Sequence, residues 1–246
     1  MASALLFAAA VVVLAGSSMA AGTHWALLAA GSDGYWNYRH QADLCHAFQL
    51  LTKEGGIPAS NVVTMFKDDV AYDAENPVKG ELINRPGGPN VYEGVVKDYT
   101  GDTVNANNFL HVLKGDADAV KTIGSGRVVE SGPEDTLFIA YFDHGATGLV
   151  GMPDGSYLYG SDLVDSLKDM YENGKFKRAV IFIEACESGS MVDGILPTYI
   201  DVFVATAAGD TESSYAYYFD EPGKHISVMS GASIGWKMLT RAISRW

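Results

Sequence analysis

The sequence predicts an α/β domain with a mostly parallel central sheet and helices on both faces, because three features coincide. Apolar runs such as Thr136–Phe142 (TLFIAYF) and Arg178–Ile183 (RAVIFI) show no polar alternation, so both faces of each strand are expected to be buried. Segments with helical periodicity separate these runs. A length of 246 residues, 48% apolar and 19% charged, suits one full core rather than a disordered chain.

The elements follow in chain order. Residues 4–15 form an apolar run of about twelve residues, the length of a signal-peptide core and short of the roughly 20 a membrane-spanning helix needs. Ser18-Met19-Ala20 offers a small-x-small cleavage site, so cleavage is expected after Ala20. The leader has no Lys or Arg, and the competing reading is a buried first helix. Cleavage would deliver the protein to the secretory route, and no N-x-[ST] acceptor predicts N-glycosylation. Trp25–Ala30 reads as a buried strand. Gln41–Thr52 reads as a helix with Leu44, Ala47, Phe48 and Leu51 on one face, ended by Gly55-Gly56. Val62–Phe66 is a second strand. Residues 73–103, rich in Pro and Gly, match no element; so long a loop is either functional or a surface insertion. Val104–Leu113 reads as a helix and Thr136–Phe142 as a strand. Ser161–Asn173 reads as a helix capped by Ser161 or Asp162 and ended by Gly174. Arg178–Ile183 and Val202–Ala207 complete the strands.

Charge and motifs exclude several functions. With 17 basic and 30 acidic side chains the formal charge is −13, and no basic stretch exists to neutralise nucleic-acid phosphates. Two cysteines rule out a disulfide scaffold and a Cys₄ zinc module. No GxxxxGK[ST], GxGxxG or HExxH occurs.

The two strongest strands end in Asp143-His144-Gly145 and Glu184-Ala185-Cys186-Glu187-Ser188-Gly189, with one helix between them. Such a βαβ unit makes the strands parallel, so both ends reach one sheet edge, where open α/β sheets bind ligands. His144 and Cys186 then form the smallest nucleophile–base pair. Glu184 and Glu187 flank the thiol and oppose its ionisation, which a charged His144 offsets, or which substrate binding overcomes. The backbone N–H groups of Gly145 and Cys186 are candidate oxyanion donors. Singly, each residue has a structural reading as a buried thiol or a satisfied imidazole. Cys45 sits mid-helix and reads as core, with a Cys45–Cys186 disulfide left open. After the first strand come Asn37-Tyr38-Arg39-His40-Gln41-Ala42-Asp43; Arg39 is either a surface ion pair or a planar donor for a substrate carbonyl. His40, Asp43 and His46 are a weak metal pattern, because their spacing of three turns around a helix.

At these residues the sequence resembles the legumain (asparaginyl endopeptidase) family. The resemblance runs from Thr23 to Glu221 through AGSDGYWNYRHQAD, DDVAYDAENP, GVVKDYTGDTV, LKGDADAVKTIGSGRV, DHGATG, EACESGSM and TAAGDTESSYAYYFDE. It implies a three-layer caspase-like fold and a cysteine endopeptidase without metal or cofactor, cutting after Asn, and after Asp at acidic pH, with peptide ligation as a side activity. It implies Cys186 as nucleophile, His144 as base, and Asn37 as the residue orienting the base. Arg39, Glu184 and Ser214 are implied as the lining of the Asn pocket, with His40 adjacent, and Asp143 in the family's succinimide and ligase behaviour. A neutral carboxamide needs a donor and an acceptor, which Arg39 and Glu184 or Ser214 can supply. Implied partners are proteins with accessible Asn and cystatin-type inhibitors; the implied setting is lysosome, vacuole or secretion.

The catalytic domain is expected over 21–221, with a divergent tail over 222–246 and no prodomain. In the family a Gly-Asp pair follows; here Gly223-Lys224 stands in its place, putting a cation where the pocket acid is expected. Such a chain is expected to be folded, weakly active and fragile at neutral pH. The competing functions are a non-catalytic homologue with an incomplete pocket and a transamidase relative. EACESGSM and the lack of a second long apolar run count against the transamidase.

Overall fold

The computed structural model describes residues 22–217 together with 228 and 229; the expected leader, Lys224 and most of the tail lie outside the described residues. In chain order the elements are β1 (His24–Ala30), α1 (Tyr38–Gln49), β2 (Val62–Met65), α2 (Ala106–Lys114), α3 (Ala117–Val120), β3 (Thr136–Phe142), β4 (Gly145–Ala146), β5 (Leu149–Gly151), β6 (Tyr157–Tyr159), α4 (Gly160–Glu172), β7 (Arg178–Glu184), β8 (Val202–Thr206), β9 (Ala216–Tyr217) and β10 (Val228–Met229). The main sheet has the order β2-β1-β3-β7-β8, and every pairing in it is parallel. β4, β5 and β6 form a small antiparallel sheet after β3, and β9 pairs with β10.

The doubly apolar strands are the reason for this layering. In β3, Leu137, Ile139 and Tyr141 enter one core with residues of α2, α3 and α4, including Phe109, Val120 and Leu167. Phe138, Ala140 and Phe142 enter the opposite core with Leu44, Ala47, Phe48 and Leu51. Small side chains at Ala26 and Ala30 let α1 approach β1 closely. Among the described residues no helix is long and apolar enough to cross a membrane.

Three details differ from the sequence expectation. α1 starts at Tyr38, three residues before Gln41, because a 3₁₀ turn at Tyr35–Asn37 runs straight into it. Arg39 and His40 therefore lie on its first turn. The helix ends in a π turn at Leu50–Glu54, where the Gly55 N–H donates to Leu50 O at 2.8 Å and Gly56 takes a positive φ of 68°. α4 has Tyr159 at its N-cap and no side-chain cap, so neither Ser161 nor Asp162 serves; Gly174, φ 62°, does follow its end.

The long segment after β2 has almost no regular structure, yet it is anchored. Leu82, Val91, Tyr92 and Val95 are buried in the α1-side core. The buried Asp98 carboxylate accepts two bonds from Arg127 Nη1, at 2.9 and 3.1 Å, and one from Ser125 Oγ at 2.8 Å. It is a packed insertion held by its own apolar anchors.

Candidate functional site

Strand register frames the site. Phe142 pairs with Ala30 on one side and Glu184 on the other, so β1, β3 and β7 leave the sheet level with one another. His144 and Cys186 each follow two residues beyond the Phe142–Glu184 pair. The Asp143 N–H continues the ladder by donating to Glu184 O at 3.0 Å. At Gly145 a Cβ would lie 2.4 Å from Cys186 O and 3.0 Å from Ala185 Cβ. The chain carrying the imidazole therefore rests directly on the backbone of Cys186, a contact only glycine allows.

The hydrogen bonds identify the histidine tautomer. Asn37 Nδ2 donates to Asp33 O at 2.9 Å, which turns Asn37 Oδ1 toward His144 Nε2, 2.9 Å away. A carboxamide oxygen only accepts, so this shorter contact assigns the proton to Nε2 and leaves Nδ1 as the basic nitrogen, and the longer approach of the donor Arg39 Nη2 is then a charge contact and not a hydrogen bond. Asn37 is also the N-cap of α1, but it makes no capping bond. An Asn there ordinarily stabilises a helix by about 1 kcal/mol; here its side chain serves His144 instead. Arg39 Nη2 lies 3.4 Å from the same Nε2, and Arg39 Nη1 donates to Trp36 O at 3.4 Å. Partial burial, and then the nearby guanidinium, hold the His144 pKa below the ordinary imidazole value, so the ring is neutral and able to accept a proton.

Cys186 is half-buried and unoxidised, and its thiol donates to Ser214 O at 3.6 Å. Cys45 is buried in the α1-side core and also free, so the disulfide left open by the sequence does not form. Glu184 is 7% exposed and accepts from Ser214 Oγ at 2.7 Å. Burial pushes its carboxyl up to about 7, against the opposing pull of that hydrogen bond.

Behind His144 lies a buried polar cluster. His40 is wholly buried and meets His144 edge-on, ring centres 5.1 Å apart. Its Nδ1 hydrogen-bonds Ser32 Oγ and lies 3.4 Å from Asp143 Oδ1. Burial holds His40 well below the ordinary imidazole value and lifts Asp143 to about 7, so the proton belongs on the carboxyl. His40 thus backs the imidazole and does not line the open site. Donor atoms of His40, Asp143 and His144 lie within 4.8 Å of one another, the one such grouping among the described residues. Ser32, Asn37 and the adjacent Arg39 cation account for it through hydrogen bonding and charge. The weaker metal pattern does not assemble: His40 sits with Asp143 and His144, whereas Asp43 accepts from Asn84 Nδ2 at 2.6 Å and His46 lines a cavity with Asn84 and Arg85.

A family model described as the peptidase C13 family matches residues 24–236. The chain belongs to the peptidase C13 family. Its similarity to curated C13 relatives is close: 52% identity over 200 residues to human (Homo sapiens) legumain, covering 81% of this chain and 46% of that protein. To the vacuolar-processing enzyme of Vicia sativa it is 52% identical over 197 residues, covering 80% of this chain and 40% of the relative. To the legumain of Canavalia ensiformis it is 51% identical over 197 residues, covering 80% and 41%. The C13 chain thus spans less than half the length of these relatives. The family match also runs past Glu221, the last residue of the resemblance read from the sequence.

Sequence reasoning missed the supports of this C13 site. Ser32 holds His40, and the Asp33 carbonyl holds Asn37. Asp69 takes Gly34 N–H at 2.7 Å and Gln41 Nε2 at 2.6 Å, pinning the turn between β1 and α1. The signal available was the Ser-Asp-Gly turn directly after a strand ending at the ligand edge.

Proposed function

We propose that this chain is a cysteine endopeptidase that hydrolyses peptide bonds after Asn, and after Asp at acidic pH. The observation that carries the reading is the shared register of β3 and β7, with His144 and Cys186 each two residues past one strand pair. Cys186 is the nucleophile and His144 Nδ1 the base. Because the resting thiol donates to Ser214 O, proton transfer to His144 belongs to the substrate-bound state. The thiolate attacks the carbonyl carbon after Asn, and the N–H groups of Gly145 and Cys186 receive the oxyanion. Protonated His144 then gives its proton to the leaving amine. The acyl-enzyme is released by water, or by another amine, which is ligation.

The pocket chemistry supports Asn. Arg39 donates to the carboxamide oxygen, while Glu184 and Ser214 accept from its NH₂. An aspartate side chain would face Glu184 and be repelled; with both carboxyls protonated at acidic pH it becomes an Asn mimic. Substrates are proteins with accessible Asn. The apolar leader, and the likeness to a Vicia sativa protein named vacuolar-processing enzyme, support a secretory route to an acidic compartment.

The test is hydrolysis of matched fluorogenic peptides ending in Asn, Asp or Ala, from pH 4 to 7.5, with Cys186→Ala as the blank. Cleavage after Asn, absent in the blank, is expected. A cooperatively melting protein that cleaves none of them would transfer the reading to a non-catalytic homologue. Asn37→Ala is expected to lower kcat about tenfold with KM little changed, because it frees the imidazole to rotate and lose its tautomer. An unchanged kcat would remove Asn37 from the mechanism.

A further inference from the structure

We propose that Thr147 and Glu187 form a clamp that holds the imidazole-bearing loop and the thiol-bearing loop at their working separation, making both of them positioning residues. The proposal rests on the cysteine-peptidase reading above. Thr147 Oγ1, three residues after His144, donates to Glu187 Oε2 at 2.5 Å. Glu187 directly follows Cys186. The same two loops are stitched again where Gly148 N–H donates to Ser190 Oγ at 2.8 Å, and that hydroxyl donates to Glu187 O. The Glu187 N–H donates to Glu212 O at 2.7 Å, which ties in the segment leading to Ser214. Glu187 therefore ties together three segments of the chain: its carboxylate holds Thr147, its carbonyl holds Ser190 of its own loop, and its amide holds Glu212.

Glu187 is an expensive residue for this place. Its φ is 52°, a left-handed conformation that glycine adopts freely and a glutamate does not. Its charge stands one residue from a thiol that must ionise, which opposes the chemistry. Both penalties would vanish with glycine, so the side chain must serve something that glycine cannot. Asp68 offers a parallel. It is the other non-glycine residue with positive φ among the described residues, and its carboxylate accepts from Tyr92 Oη and pairs with Lys97. The Thr147–Glu187 bond lies at a part-exposed surface, where one hydrogen bond adds little to folding. What it does fix is the relative position of the residues beside His144 and Cys186.

Four single variants and one double test the clamp, by steady-state kinetics on the Asn peptide and by the pH profile of Cys186 alkylation with iodoacetamide. Thr147→Val and Glu187→Gly are each expected to lower kcat about tenfold with KM within about twofold; the thermal melt stays unmoved in Thr147→Val and does not fall in Glu187→Gly, which sheds the backbone strain. The double variant is expected to lose no more than either single one, because both break one bond. Thr147→Ser keeps the hydroxyl and Glu187→Gln keeps an acceptor oxygen, so both are expected to retain most of the turnover. Thr147→Val leaves the charge in place and is expected to move alkylation to higher pH, which Thr147→Ser does not. Wild-type kcat in Thr147→Val and Glu187→Gly would overturn the clamp, as would losses that multiply in the double variant or that track a lowered melt. A wild-type chain that fails to cleave the Asn peptide would sink the peptidase reading alone, and the alkylation profiles would still decide the clamp.

Discussion

Gly145→Ala is expected to reduce kcat/KM about a hundredfold, an effect far larger than a single methyl group suggests. The new Cβ would lie 2.4 Å from Cys186 O and 3.0 Å from Ala185 Cβ, so at least one backbone has to move. Gly145 opens β4 and pairs there with Val150, while Ala185 and Cys186 directly follow β7, so strands hold the backbone on both sides of the contact. The displacement therefore falls on the short stretch between His144 and Cys186. A shift approaching 1 Å between reacting groups costs on the order of 100-fold in rate. Overpacking at a rigid contact is also expected to destabilise the fold by about 1–3 kcal/mol. The backbone φ at Gly145 is not in the left-handed region, so the cause is contact and not conformational strain. The measurement is kcat/KM on the Asn peptide beside a urea melt, with Gly148→Ala as a comparison: Gly148 has φ 73° and nothing within 4 Å of its would-be Cβ. That variant pays backbone strain without a clash. Equal activity in wild type and Gly145→Ala would show that the two loops are not in rigid contact.

How much of this was legible in the sequence depends on how local the signal is. β3 and β7 announce themselves through unbroken apolar runs, and one helix between two such runs dictates that they be parallel. His144 and Cys186 follow from that alone, because each sits just past a strand end. Arg39 and His40 were visible as residue types but not as partners. Their relation to His144 depends on α1 starting at Tyr38, and helix ends are the least predictable part of a helix. A 3₁₀ turn that feeds the helix leaves no periodic trace. The resemblance implied Asn37 as the residue orienting the base, and the geometry adds that it stands at the N-cap of α1 without making a capping bond. Ser32, Asp33 and Thr147 act through single hydrogen bonds across 4, 8 or 40 residues of chain, and no local pattern encodes such pairings. The 73–103 segment shows the opposite limit. Its Pro and Gly content predicted loop correctly, but its buried Leu82, Val91 and Tyr92 follow no period that could be recognised as core.

Stability is expected to be greatest on the acid side of neutrality and to fall between about pH 6.5 and 7.5. Asp143 and Glu184 both hold protons up to about 7 in the folded state, against ordinary values of 3.8 and 4.5, because burial disfavours their charged forms. Between those limits the folded chain binds protons that the unfolded chain has released. Stability therefore drops as pH rises, at up to about 1.4 kcal/mol per pH unit for each group. His40 and His144 work the other way. Their folded values lie below the ordinary 6.5, so below that pH the unfolded chain takes up protons that the folded chain refuses, and stability drops as pH falls. Just below pH 6.5 the two carboxyls and the two imidazoles oppose each other, which flattens the curve there. Above 6.5 the unfolded imidazoles lose their remaining protons and their contribution fades, so the carboxyl loss increasingly outweighs it until both have ionised. Glu184→Gln removes one of the two declining terms, and its Tm is expected to fall less between pH 6.5 and 7.5 than that of wild type. Asp143→Asn is expected to do the same while leaving His40 beside an uncharged neighbour. Thermal melts followed by circular dichroism from pH 4 to 8 read this directly. A wild-type Tm that rises from pH 6 to 8 would mean that the two carboxyls are already ionised in the fold across that range.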